Sequence, residues 1–212
     1  MNSNPPLIRV QGSGKVSSTP DTVIVGLGLK SEHKDYAKAT ADAARKLELL
    51  RAALPKACLA ADQLKTESFN IGVEYDYQAG TQTFRAYSVK HHLSLRLPFE
   101  PVELGRVLTA VMESGTKAHV TLTFTATDAE AVKRRVLEEA VHKARSRAEL
   151  IARAAGQQLG AVRSIEYGST EILVQSRPQN FYEGLASPSL DLAPADIETD
   201  DTVLMVWELA GA

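Results

Sequence analysis

Apolar and polar positions alternate through the first thirty residues, give way to a helical period, and the two rhythms then take turns along the chain. IRVQGSGKV and TVIVGLGLKS read as extended segments separated by SSTPD, where Pro20 and Asp21 supply a turn. The pattern predicts that these two strands form a hairpin, with central glycines relieving crowding where a strand passes close to another element. From Asp35 the period lengthens. Tyr36, Thr40, Ala43, Leu47, Leu50 and Leu54 recur at helical spacing, and Pro55 ends the regular helix nearby.

Alternation returns in TESFNIGVEYDYQAGTQTFRAYSVKHHLSLRL, with Phe69, Ile71, Val73, Tyr75 and Tyr77 on one side of an extended segment. Gln78, Ala79 and Gly80 turn the chain into a second long strand. There the parity of the apolar positions shifts between Phe84 and Leu97, the mark of a bulge or bend. Pro98 closes this strand and Pro101 opens a short helix containing Leu104, Val107, Leu108 and Val111, which Gly115 releases. HVTLTFTAT is a half-buried strand with one threonine face, and Thr127 or Asp128 caps the helix that follows.

That helix, from Ala129 to about Ala155, has the clearest period. Val132, Val136, Leu137, Ala140, Val141, Ala144, Ala148, Ile151 and Ala155 form its apolar face, and the alanines allow close approach to a neighbour. Gly156 and Gly160 mark its exit, and AVRSIEYGSTEILVQ supplies another strand region. Residues 176–196 read as an exposed loop carrying Pro178, Pro188 and Pro194, and TVLMVWELAG is a final strand with Val203, Met205 and Trp207 on one side. This is no regular β-α repeat, so the expected class is α+β: long antiparallel strands packed with helices. One domain over 7–210 is expected, with room for two interlocked sublobes.

Composition narrows the functions more than it selects one. The 212 residues carry 26 acidic and 24 basic side chains, so no whole-chain field announces a nucleic-acid partner. Lys133, Arg134 and Arg135 begin a basic helix surface, but glutamates interrupt it and stacking residues are missing beside it. No apolar run is long enough for an integral membrane helix, and MNSNPPLIRV has no export-signal pattern. The chain as written is expected in the cytoplasm, or in the periplasm if an export signal has been removed. The single cysteine, Cys58, excludes an internal disulfide, and its place in PKACLA predicts packing as a small hydrophobe.

Candidate chemistry thins out on inspection. Gly12-Ser13-Gly14-Lys15 resembles part of a phosphate loop, but it lacks the required spacing and runs toward a strand instead of a helix N-terminus. His91 and His92 are adjacent in a strand and so point to opposite faces, a poor arrangement for one ion, while His33, His119 and His142 are dispersed. There is no nucleophile elbow, and neither Glu138-Glu139 nor Asp200-Asp201 has the opposed geometry of an acid and base pair. No catalytic, cofactor-binding or metal-binding residue is assigned. Phe84 with Tyr87 and Phe181 with Tyr182 are the aromatic pairs that would line a ligand groove.

Several joined features resemble the SIMPL-domain family (DUF541): VQGSGKVSSTPD, FRAYSVKHHLSLRL followed by LGRVLTAVMESG, LIARAAGQQLGAVRSI, and the closing PADIETDDTVLMVWEL. The resemblance runs from about Ile8 to Leu209 and places Gly12, Gly14, Pro20 and Asp21 in an opening strand-turn signature. Ala195 stands where many relatives have glycine. The resemblance implies an α+β SIMPL fold, no general catalytic set, and association of like subunits, since some members form ring-like assemblies. Others are linked to stress tolerance or protein interaction, and the family is usually found in the bacterial envelope. The expectation is therefore a non-enzymatic interaction or scaffolding protein, homo-oligomeric and open to a protein partner. The alternative is a small-molecule binder using a pocket between the long sheet and the 176–196 loop.

Overall fold

In the computed structural model the described residues are 5–78, 80–168, 172–181 and 193–211. They gather into two units. One is built from Met1–Thr19, Ala126–Gln175 and Ala195–Ala212, the other from Pro20–Thr125 and Ser176–Pro194.

The first unit is a three-stranded antiparallel sheet with one long helix on it. Its strands are β1 (Leu7–Ser18), β6 (Gln157–Glu166) and β8 (Ile197–Gly211), in the order β1-β8-β6. β1 and β8 stay in register along twelve residue pairs, from Leu7 opposite Glu208 to Ser18 opposite Ile197. Helix α3 (Ala129–Ala154) starts at Asp128, whose carboxylate accepts a 2.8 Å bond from the Ala131 amide. Its buried positions are Val132, Val136, Ala140, Ala144, Ala148 and Ala152, one every four residues. This stripe is narrower than the sequence predicts. Val141, Ile151 and Ala155 remain exposed, because an alanine ridge brings the helix backbone so near the sheet that bulkier flanking residues stay outside.

Val10, Val203, Met205 and Trp207 pack under Ala140, Ala144 and Ala148, while Val16, Val132, Val136, Val174 and Ile197 form a second cluster. Gly156 ends α3 at φ 69°, where a side chain would be strained. Gly160 is not part of that exit. It lies inside β6, where the pairing with β8 skips between Leu159 and Val162, and a Cβ there would stand 3.0 Å from the Glu208 carbonyl. The strand expected through AVRSIEYGSTEILVQ stops at Glu166, where β6 ends; Tyr167, Gly168 and residues 172–174 are not strand, and residues 169–171 lie outside the described residues.

The second unit is a five-stranded antiparallel sheet. Its strands are β2 (Thr22–His33), β3 (Lys65–Gln78), β4 (Thr81–Pro98), β5 (His119–Thr125) and β7 (Gln179–Phe181), ordered β3-β4-β2-β5-β7. The expected β1-β2 hairpin does not form. β1 pairs with β8, and β2 pairs with β4 on one side and β5 on the other, so SSTPD joins two different sheets. The long β3-β4 hairpin does form, and its pairing skips Arg85 between Glu74-Ala86 and Tyr75-Phe84, which is the bulge announced by the parity shift.

Two helices lie with this sheet. Helix α1 (Tyr36–Ala53) is capped by Asp35, which accepts from the Lys38 amide at 3.1 Å, and α2 (Pro101–Glu113) starts on Pro101. Val23, Val25, Leu27, Leu93, Leu95, Leu122 and Phe124 meet Leu50, Leu54, Leu104 and Val107 in the main core. Each fully buried side chain of this size contributes about 1.5–3 kcal/mol of transfer free energy. Alternating strands and two amphipathic helices thus bury one face of the sheet.

Candidate interaction surface

β3 is the outermost strand of the five-stranded sheet, with β4 as its one neighbour. Phe69 faces His91, Ile71 faces Val89, Val73 faces Tyr87 and Tyr75 faces Phe84, so the apolar row of β3 lies on the face that carries the core. Alternation of this kind predicts a half-buried face. Here it stays in water: Phe69 is 50% exposed, Tyr75 45% and Tyr77 75%, and Ile71, Val73 and Phe84 are exposed too. The reason is the reach of α1. Its small residues Ala39 and Ala43 pack on Val89 of β4, and cover stops at that strand. At the margin Tyr87 meets Tyr36 and Phe84 edge-on, with ring centroids 5.7 and 5.2 Å apart.

The polar face of β3 is neutralised from β4. Lys90 lies 3.3 Å from Glu74, and this ammonium holds the Glu74 carboxyl below its ordinary range. Arg85 stands 3.9 Å from Asp76. Near the start of the strand, buried His91 bonds the Thr66 hydroxyl at 3.0 Å and meets the Phe69 ring edge-on at 5.0 Å. Burial first, then the nearby Arg51 and His92 charges, push His91 below the usual histidine value. His92 points away and pairs with Ser68 at 3.1 Å, so the two histidines occupy opposite faces as their spacing requires.

The other sheet edges differ from β3. On β1, Glu139 of α3 accepts the Lys15 amide at 3.0 Å and Arg147 donates to the Gln11 carbonyl at 3.1 Å, so helix side chains occupy the outer main chain. β6 carries extra residues at two places within its ten, against a single one, Glu67, in the fourteen of β3, which breaks up the β6 edge, and β7 has three residues. Beyond the reach of β5, Lys46 donates to the Lys30 carbonyl on β2. Among the described residues, no side chain from outside the β3-β4 hairpin bonds the β3 main chain.

The remaining sequence candidates fall into structural places. Gly12, Ser13, Gly14 and Lys15 lie inside the continuous strand β1, and Lys15 pairs with Glu198 at 2.8 Å. Glu139 serves Lys143 and the Lys15 amide, while Asp201 accepts the Tyr167 hydroxyl at 2.8 Å and raises that phenol above its ordinary value. Lys133 is paired with Glu130 at 2.8 Å within its own helix. Cys58 corrects the packing expectation: it is exposed, at φ 59°, because Pro55 converts the end of α1 into a short 3-10 turn that swings the thiol outward. Of the aromatic pairs, Phe84 and Tyr87 meet on β4, whereas Tyr182 and the Phe181 side chain lie outside the described residues, as does most of the 176–196 loop.

What these features define is an α+β protein of two antiparallel sheets with an uncovered apolar strand at the edge of one. The chain belongs to the SIMPL family, described as a protein of unknown function (DUF541), which it matches over residues 8–207. No curated protein matches it. Among the described residues no helix is long and apolar enough to cross a membrane.

Proposed function

We propose that this is a non-catalytic interaction or scaffolding protein that associates with copies of itself through the apolar face of the β3-β4 hairpin. The observation that carries this reading is the row Phe69, Ile71, Val73, Tyr75 and Tyr77, exposed on a fourteen-residue edge strand. The rings of Phe69, Tyr75, Tyr77 and Phe84 alone leave on the order of 400 Å² of surface in water, since an aromatic side chain carries roughly 150–250 Å². Contiguous apolar patches of a few hundred Å² mark interaction sites on soluble proteins.

Static light scattering over a hundredfold range of protein concentration tests the reading. A mass that rises above one chain is expected. A strictly monomeric mass throughout would overturn self-association.

A further inference from the structure

We propose that two copies of this chain pair antiparallel along β3, with Gly72 of each facing the other across a twofold axis normal to the sheet. This rests on the self-association reading above and names its surface and register.

β3 is a long edge whose main chain, among the described residues, takes no side-chain bond from outside the hairpin, while β1 is held by Glu139 and Arg147. Beyond the bulge at Glu67, β3 runs from Ser68 to Gln78 with no extra residue of its own, and an unpaired apolar edge of this kind recruits another strand because its amides and carbonyls face outward in ladder spacing. A twofold axis through the strand makes the contact self-complementary and closes it at two copies.

The sequence of β3 suits this pairing. With Gly72 at the axis, Ile71 faces Val73 of the second copy and Phe69 faces its Tyr75, extending the apolar row without a break. On the opposite face Asn70 meets Glu74 and Ser68 meets Asp76, so no two carboxylates oppose each other. Cross-strand pairs of aromatic and β-branched residues are the stabilising units of a sheet, whereas like charges directly opposite destabilise it. Lys90 and Arg85 already neutralise Glu74 and Asp76 from β4.

Gly72 is the second observation. Glycine weakens the middle of a strand, and it is commonly found there where another backbone comes close. Among the described residues nothing does: a Cβ on Gly72 would meet no atom within 4 Å, and its φ is not in the left-handed region. The monomer gives no reason for a glycine at this position. A second strand crossing at that point gives one.

The test uses the full chain with Cys58→Ser, so that the exposed native thiol does not react, and adds Gly72→Cys. Oxidation, or a short bis-maleimide, is expected to convert most of the protein into a covalent dimer at concentrations where the parent associates. A second variant, Val73→Lys, places an ammonium in the apolar row at an exposed site. It is expected to weaken association at least tenfold with the melting temperature of the dilute, dissociated protein unchanged. If the parent associates but Gly72→Cys gives no covalent dimer, or Val73→Lys associates as the parent does, the β3 pairing is overturned while self-association through another surface stands. If the parent is monomeric at every concentration, both fail.

Discussion

Gly12 of β1 lies directly beneath the α3 backbone at Ala140 and Ala144. A Cβ placed on Gly12 would overlap the Ala140 carbonyl oxygen and stand 2.6 Å from the Ala144 nitrogen and 2.7 Å from its Cβ. Gly14 is in the same position one step along, against the Val136 carbonyl and 2.9 Å from the Ala140 nitrogen. A glycine pair on the strand and an alanine ridge on the helix therefore let two backbones pack almost without side chains between them.

Gly12→Ala is accordingly expected to destabilise the protein by about 3 kcal/mol, the upper part of the range for overpacking, because backbone cannot rotate aside. Gly105→Ala is the control. It lies in α2, where an added Cβ would meet nothing within 4 Å, and replacing a helical glycine there is expected to stabilise by about 1 kcal/mol. Urea unfolding of the two variants checks both signs; a Gly12→Ala protein as stable as the parent would contradict the close approach.

The buried His91 makes stability depend on pH. Its folded value lies below its unfolded one, so over the interval between them the unfolded chain binds more protons and stability rises with pH. The contribution is present above the ordinary histidine value near 6.5 and is lost as pH falls through it toward the lower folded value. The loss between pH 7 and 5 is expected to be smaller in His91→Gln than in the parent, read from denaturant midpoints at each pH. Identical slopes would remove His91 from the account.

Asp42 titrates in a different interval. Hydrogen bonds from Arg45 and then Lys46 hold its carboxyl well below the usual carboxylate range, so its contribution persists at mildly acid pH and is lost only as pH falls below about 4. Asp42→Asn is expected to flatten the stability profile below pH 4 and leave the interval from 5 to 7 unchanged. Thermal melts in acid buffers separate it from His91.

The helix caps give a local measure. Asp35 and Asp128 each accept an amide of the first turn, and replacing either by alanine is expected to cost about 1 kcal/mol. Chemical denaturation reads the loss, and Asp→Asn, which keeps the acceptor, is expected to restore most of it.

Guarding of the β1 edge is also testable. Glu139→Ala with Arg147→Ala frees the Lys15 amide and the Gln11 carbonyl. The double variant is expected to aggregate faster than the parent at equal concentration, followed by turbidity or a β-sheet dye, because an unpaired edge templates further strands. An unchanged rate would show that these two contacts do not protect the edge.

Much of the fold was legible because burial imposes a period. Val120, Leu122 and Phe124, like Val203, Met205 and Trp207, alternate in sequence and are buried in the structure, and Asp35, Pro101 and Gly156 punctuate helices in the ordinary way. Pairing was less legible. The short SSTPD turn favours a hairpin, but β1 finds its partner in β8, beyond every other element, and no local rule announces a contact of that range. Gly12 and Gly14 signalled close approach correctly, yet only the fold shows that a helix, not a strand, comes near.

The candidate surface was half legible for a related reason. Phe69, Ile71, Val73, Tyr75 and Tyr77 announce a face by their alternation, but a pattern cannot say where a covering helix stops. α1 meets Val89 with alanines and goes no further, so the row beyond it is exposed by position, not by composition. Cys58 differs from its expectation because a small apolar residue among alanines reads as packed, while the left-handed backbone that follows the 3-10 turn at Leu54–Ala57 turns it to the surface.

The central place of β8 between β1 and β6 governs the order of events during synthesis. β1 leaves the ribosome long before its partner strand, so the three-stranded sheet cannot close until β8 has been translated. Until then β1 and the alanine face of α3 travel without the strand that joins them, whereas β2 through β5 emerge as one continuous stretch and already hold their mutual partners. Released chains that stop short of Ile197 should therefore need a chaperone more than the released full chain, in which β8 can reach β1.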